Sequence, residues 1–189
     1  LFRYADDFVI LCSDEADARK VYDVLPKRFG RYGLTLHPDK TRLIDFRKPR
    51  PPHGDGPGRF DLLGFTHVWA RTRSGGFAVQ QRTARSRFKR ALQRVARWCR
   101  EHRHRPIPEQ HTTLSQMLRG HCAYYGITWN SYALIRFRRA MERLWMKWPG
   151  RRSQRARPTL ARFRTLPTFP PACATHPPTP PHAAPLPFT

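Results

Sequence analysis

The sequence predicts an α+β chain: a strand-rich segment with one helix over residues 1–81, an all-helical segment over 82–165, and a disordered proline-rich tail over 166–189. Three observations predict it. Apolar residues come in short runs punctuated by Gly, Pro and Asp turn signals in the first segment, and with helical periodicity in the second. Charge divides at a similar place: residues 1–61 carry twelve Lys/Arg and ten Asp/Glu, a balance of +2, whereas residues 62–189 carry twenty-four and three, a balance of +21. After Arg164 proline recurs every few residues and charge vanishes, a composition that cannot pack and is expected to be disordered or polyproline-like.

The first element is "LFRYADDFVIL", apolar and aromatic residues broken by one acidic pair, which reads as strand, tight turn, strand. "DEADARKVYDVLPKRFGRYGL" follows with Ala18, Val21, Tyr22, Leu25 and Phe29 at helical spacing. Gly30 or Gly33 is placed to end that helix, and Pro26 to kink or shorten it. "LTLHPDKTRLIDF" reads as two short strands around a His-Pro-Asp turn, and a Pro/Gly-rich stretch separates it from "DLLGFTHVWA" and "GFAVQQ", two strands divided by Gly75-Gly76. From Thr83 onward the period is helical. Ala84, Phe88, Ala91, Leu92, Val95, Trp98 and Cys99 form one apolar stripe; Leu114, Met117, Leu118, Cys122 and Tyr125 mark a second helix. Leu134, Phe137, Met141, Leu144, Trp145 and Trp148 mark a third, with Pro149-Gly150 as its stop.

A hydrophobic fraction of 39% with five tryptophans permits a core, so the chain as a whole is not disordered. The formal net charge of +23 calls for a polyanionic partner. Nucleic acid is preferred to a membrane, because no run of about 18 apolar residues is present to span a bilayer. The N-terminus also lacks the zones of a signal peptide, which leads to the expectation of a soluble, cytoplasmic protein. Cys12, Cys99, Cys122 and Cys173 lie far apart with no C-x-x-C pair, so they read as reduced, buried thiols rather than a zinc knuckle or a disulfide framework. His102 and His104 lie in an arginine-dense run and His176 and His182 in the proline-rich tail, without metal-ligand spacing.

Two features carry chemistry. Asp6 and Asp7 are adjacent carboxylates at the tip of the first hairpin, and hard oxygen ligands on a rigid turn suit Mg²⁺. Phosphoryl transfer by two ions about 3.5–4 Å apart uses carboxylates in this way, although an Asp pair alone is also a common turn residue choice. The second feature is Arg87, Arg90, Arg94 and Arg97, at spacings that put them on a common face opposite the apolar stripe. Glu101 is the only acid between Arg82 and Arg105, so their mutual repulsion needs an external polyanion to offset it. Arginine also favours bidentate phosphate contacts and stacking on bases. Tyr124, Tyr125, Trp129 and Tyr132 are candidates for base stacking, but helical spacing assigns most of them to core packing.

The full string "RYADDFVIL" resembles the catalytic box of reverse transcriptases. "GLTLHPDKTRLIDF" and "FDLLGFTH" are similar to the blocks that follow it in that family, and "MLRGHCAYYGITWNSYALIRFRRAMERLWMKWPGRRSQ" looks like the maturase-specific thumb of group II intron-encoded proteins. The resemblance covers about residues 1–165. It implies a partial reverse-transcriptase palm over 1–81 and a helical thumb over 82–165. It further implies that Asp6 and Asp7 are the paired catalytic aspartates and Mg²⁺ ligands, Asp6 the surer of the two, with Tyr4 and Ala5 shaping the hairpin beside the primer end. Lys40 in "HPDKT" would approach the incoming nucleotide's phosphates. Leu63, Gly64 and Phe65 would support the primer strand, Gly64 by close backbone approach or by forming a bulge. Arg119 joins Arg87, Arg90, Arg94 and Arg97 as a nucleic-acid-binding residue. The implied partners are a group II intron RNA and an RNA template with its DNA primer.

The family's palm has a further metal-binding aspartate upstream of this hairpin, together with fingers that bind template and nucleotide, and this sequence contains neither. The expectation is therefore that the 189-residue chain does not polymerise by itself and holds Mg²⁺ weakly or not at all. The tail departs from the family's ending. It shows no His/Asn/Cys constellation of a nuclease, and its composition resembles an arginine-rich, GC-biased gene read in a shifted frame. Three classes stay open: part of an RNA-directed DNA polymerase, a non-catalytic RNA-binding splicing factor, and a degenerate fragment without present function.

Overall fold

The computed structural model describes residues 1–49, 58–148 and 169. It is mixed α and β, with four helices and two small sheets among the described residues. The chain divides into two compact units, one of Leu1–Leu63 and His67–Val79, the other of Gly64–Thr66 and Gln80–Thr189.

The first unit opens with strands β1 (Phe2–Tyr4) and β2 (Asp7–Val9), paired antiparallel with Phe2 opposite Val9, Arg3 opposite Phe8 and Tyr4 opposite Asp7. Two residues make the turn. Ala5 takes φ 51°, a left-handed conformation that costs a residue with a Cβ roughly 1–2 kcal/mol, and the Arg3 Nε–H braces it by donating to the Ala5 carbonyl at 2.9 Å. Helix α1 (Glu15–Gly30) begins where the Asp14 carboxylate accepts the Ala16 N–H at 2.7 Å. Acids in its first turn and Lys27 and Arg28 in its last complement the helix dipole. The helix runs through Pro26 and ends at Gly30. Gly33, at φ 68°, turns the chain beyond it. No α1 side chain is fully buried; Phe29 stacks on Phe8 with centroids 5.7 Å apart.

The two short strands expected in "LTLHPDKTRLIDF" do not form. Pro38 offers no N–H to a ladder, and the Lys40 and Thr41 N–H groups both donate to the His37 carbonyl, closing a turn. Side chains hold the remainder of the segment instead. Trp69 Nε1–H donates to the Phe46 carbonyl at 3.0 Å, and the Phe46 ring meets Phe60 edge-on at 5.0 Å. Strands β3 (Phe60–Leu62), β4 (Phe65–Arg71) and β5 (Phe77–Thr83) form a second small sheet in that order. The β3–β4 turn is Leu63-Gly64, both with positive φ (51° and 81°), the type I′ geometry that matches strand twist. Gly64 is thus a hairpin residue and not a bulge. The β4–β5 turn closes when Gly75 N–H donates to Thr72 C=O and Thr72 N–H donates to Gly76 C=O.

In the second unit, helices α2 (Arg85–Glu101), α3 (Ile107–Tyr125) and α4 (Ser131–Lys147) pack with α4 against both others. The apolar stripes read from the sequence supply the core: Val95 and Cys99 from α2, Leu114, Leu118 and Cys122 from α3, and Leu134, Phe137, Met141 and Trp145 from α4. Two of the polar side chains inside, Gln110 and Asn130, are tied by hydrogen bonds. Gln110 accepts from Trp145 Nε1–H at 2.9 Å and donates to the Arg105 carbonyl at 2.7 Å. Asn130 accepts the Thr83 N–H at 2.9 Å and donates to Thr83 Oγ1 and the Tyr125 carbonyl, both at 2.8 Å. Cys99 and Cys122 are buried and in no disulfide, as expected, and burial pushes the Cys99 thiol up to about 11, which keeps it protonated and inert. Cys12 departs from that expectation: it is exposed. Cys173 and the proline-rich tail lie outside the described residues except for Phe169, whose buried ring contacts His111 and Trp145.

Candidate nucleic-acid interface

Asp6 is at the turn and Asp7 is the first residue of β2, across from Tyr4; all three are exposed. Lys40 is exposed in the His37–Thr41 turn and takes part in none of the ion pairs among the described residues. Two carboxylates are too few for a two-ion site, and among the described residues no group of three His, Cys, Asp or Glu is placed to hold a metal. Among the described residues, Asp6 and Asp7 therefore do not by themselves make a complete Mg²⁺ site.

The second unit brings several expected residues together. A Cβ built on Gly64 would come 3.1 Å from Tyr125 Oη and 3.6 Å from Arg87 Cγ, so the absence of a side chain lets the turn seat against those two residues. The Gly64 carbonyl also accepts the Ala84 N–H at 2.9 Å, which ties the turn to the start of α2. Phe65 stacks on Tyr124 at 5.8 Å and meets Tyr125 edge-on at 5.2 Å. Gly64, Phe65, Arg87, Tyr124 and Tyr125 thus form one aromatic and cationic cluster drawn from three separate segments of the sequence.

From that cluster Arg87, Arg90, Arg94 and Arg97 run along α2, all exposed and none in an ion pair among the described residues. At 1.5 Å per residue the row is about 15 Å long, enough to meet several backbone phosphates. Arg119 is exposed on α3. The core assignment of the aromatic residues needs correction. Tyr124, Trp129 and Tyr132 are 56%, 37% and 71% exposed, leaving Tyr125 alone of the four substantially packed. Helical spacing misled because Trp129 lies in the α3–α4 loop, at φ 69°, and Tyr132 is on the outer side of the first turn of α4. Arg136 sits over the Tyr132 and Phe88 rings at 5.6 and 5.7 Å.

Sequence reasoning missed His121 and Asn130. His121 stacks on Phe137 at 3.8 Å, and its buried Nε2 has no hydrogen-bond partner among the described residues. Burial first, and the Arg94 charge second, lower its pKa from 6.5 to about 4. Between these values the unfolded chain binds a proton that the folded chain refuses. His121 therefore leaves stability intact above about pH 6.5 and subtracts on the order of 3 kcal/mol as pH falls to about 4. Urea melts across that range should show a shallower pH dependence in His121→Phe than in the unchanged chain. Equal slopes would reject a neutral buried imidazole.

No helix among the described residues is long and apolar enough to cross a membrane. Residues 88–165 match the family described as group II intron, maturase-specific domain. The matched range takes in Arg90, Arg94, Arg97 and Arg119, and indicates a maturase-type role in intron splicing and RNA binding. No curated protein and no solved structure matches the chain.

Proposed function

We propose that the chain is part of a group II intron-encoded RNA-directed DNA polymerase and maturase, and that its second unit grips intron RNA and the template-primer duplex through α2. The observation that carries this reading is the exposed arginine row on α2, in no ion pair among the described residues and mostly inside the matched maturase-specific range. Phosphates offset the repulsion along the row, while exposed Tyr124, Trp129 and Tyr132 offer rings to unstacked bases. Phe65 and the Leu63-Gly64 turn support the primer strand, with Arg87 at the same end of the row. Asp6 and Asp7 belong to the polymerase's metal site, beside Tyr4 and Ala5, and Lys40 serves the incoming nucleotide. The working compartment is the cytoplasm.

A second reading, an RNA-binding splicing factor without synthesis, is favoured by the carboxylate count: two exposed acids give Mg²⁺ too few ligands. Both readings share the RNA interface, and one set of measurements separates them. The purified chain should bind a group II intron RNA roughly tenfold or more tighter than an unrelated structured RNA of equal length, with affinity falling steeply as salt rises. With a primed RNA template and Mg²⁺ it should extend no primer. Equal affinity for both RNAs would reject the maturase reading, and primer extension would reject the claim that this chain is inactive alone.

A further inference from the structure

Helices α2 and α4 leave an open groove of about 520 Å³ between them, on a different side of α2 from the arginine row. With 100° between successive residues, Lys89, Gln93 and Ala96 are centred roughly 110° around the helix from Arg87, Arg90, Arg94 and Arg97. Its floor is aliphatic: Leu92 and Ala96 from α2, Ala140 and Leu144 from α4. Each pair is spaced i, i+4, so the floor is two short ridges of the kind into which a third helix packs. The alanines keep it open.

The rim is cationic. Lys89 stands on one wall and Arg143 and Lys147 on the other, all exposed and none in an ion pair among the described residues. Lys147 has a ring contact with Trp148 at 5.9 Å. The one acid of α4, Glu142, is engaged by Arg138 Nε–H at 2.9 Å and does not line the groove. Three positive charges thus flank an apolar floor with no carboxylate between them.

We propose that this groove docks an acidic amphipathic helix of a partner protein. Charge complementarity selects the occupant: carboxylates on the flanks of such a helix meet Lys89, Arg143 and Lys147 while its apolar stripe covers Leu92, Ala96, Ala140 and Leu144. RNA fits the same charge but not the floor, since phosphates need donors and bases need flat rings, and Leu and Ala side chains offer neither. The proposal goes beyond the RNA reading and uses a different flank of α2.

The test is fluorescence anisotropy on the full 189-residue chain. The probe is a labelled synthetic helix of about 18 residues with leucines at i, i+3, i+4 and i+7 and glutamates flanking them, and the control is its scrambled sequence. The expected result is micromolar binding, roughly tenfold weaker or worse for the scrambled peptide. Ala140→Trp, which fills the groove without changing charge, should weaken peptide binding about tenfold and leave intron-RNA affinity unchanged. Should that variant lose helix content by circular dichroism, Arg143→Glu/Lys147→Glu, at two exposed positions, decides the peptide result. Equal binding of the scrambled peptide, or none at about 100 μM, overturns the proposal. So does an Ala140→Trp chain that stays folded and loses RNA affinity as much as peptide affinity, which makes the groove an RNA site. Displacement of the peptide by vesicles of anionic phospholipid, but not by neutral ones, overturns it in favour of a lipid surface.

Discussion

Replacing Arg90 and Arg94 together by glutamate should lower intron-RNA affinity roughly 100-fold at physiological salt, because two phosphate contacts are lost and two repulsive charges take their place. The slope of log affinity against log salt should also shrink by about two or more. The fold gives little reason for the double variant to unfold. Both side chains are exposed, neither forms an ion pair among the described residues, and glutamate is a good helix former. Arg87 is left alone because it lies beside Gly64 and Tyr125, where a substitution would disturb packing as well as charge. Removing the Arg94 charge relaxes one of the two causes that depress the His121 pKa, so the variant should be slightly less acid-sensitive than its parent. Filter binding over a salt series gives both the affinity and the slope. Unchanged RNA affinity in a variant with native helix content would remove α2 from the interface.

The helices were legible because a 3.6-residue period is written in many residues at once. The stripe from Phe88 to Cys99 and the set from Leu134 to Trp145 both turn inward, and one mistaken residue would not have hidden them. The first hairpin and the Gly75 turn were legible for a different reason, since each pairs a turn signal with β-forming flanks. "LTLHPDKTRLIDF" carries the same signals and forms no strand. Pairing is a non-local property, and that segment's anchors, Phe46 to Phe60 and Trp69, are side-chain contacts that alternation does not encode. The arginine row was legible from spacing alone, but its aromatic neighbours were not. Which side of a loop or a first helical turn faces water depends on where the next helix starts, and Trp129 and Tyr132 lie at that uncertain boundary. Gly64 was noticed for its residue type, yet its fit against Tyr125 and Arg87 required the fold to bring distant segments together.

Asn130 illustrates the same difficulty and carries the largest expected effect on stability. It stands at the N-cap of α4, but its side chain makes no capping bond. Its amide instead satisfies Thr83 at the end of β5 and the Tyr125 carbonyl at the end of α3, at 1% exposure. Asn130→Ala should therefore cost about 3 kcal/mol or more, since three partners lose their hydrogen bond at once inside the protein. That is a large share of the roughly 5–15 kcal/mol that holds a domain folded. Asn130→Ser separates the two roles. Serine caps a helix about as well as asparagine, so a capping role predicts near-complete rescue. The observed bonds predict almost none, because a hydroxyl has one proton to donate where the amide uses two. Urea denaturation of the three chains, compared at midpoint with unchanged slope, distinguishes these outcomes. Rescue by serine would show that α4 needs only its cap. Failure of rescue would place the junction of β5, α2 and the α3–α4 loop under the control of one amide, at the end of α2 where the arginine row begins.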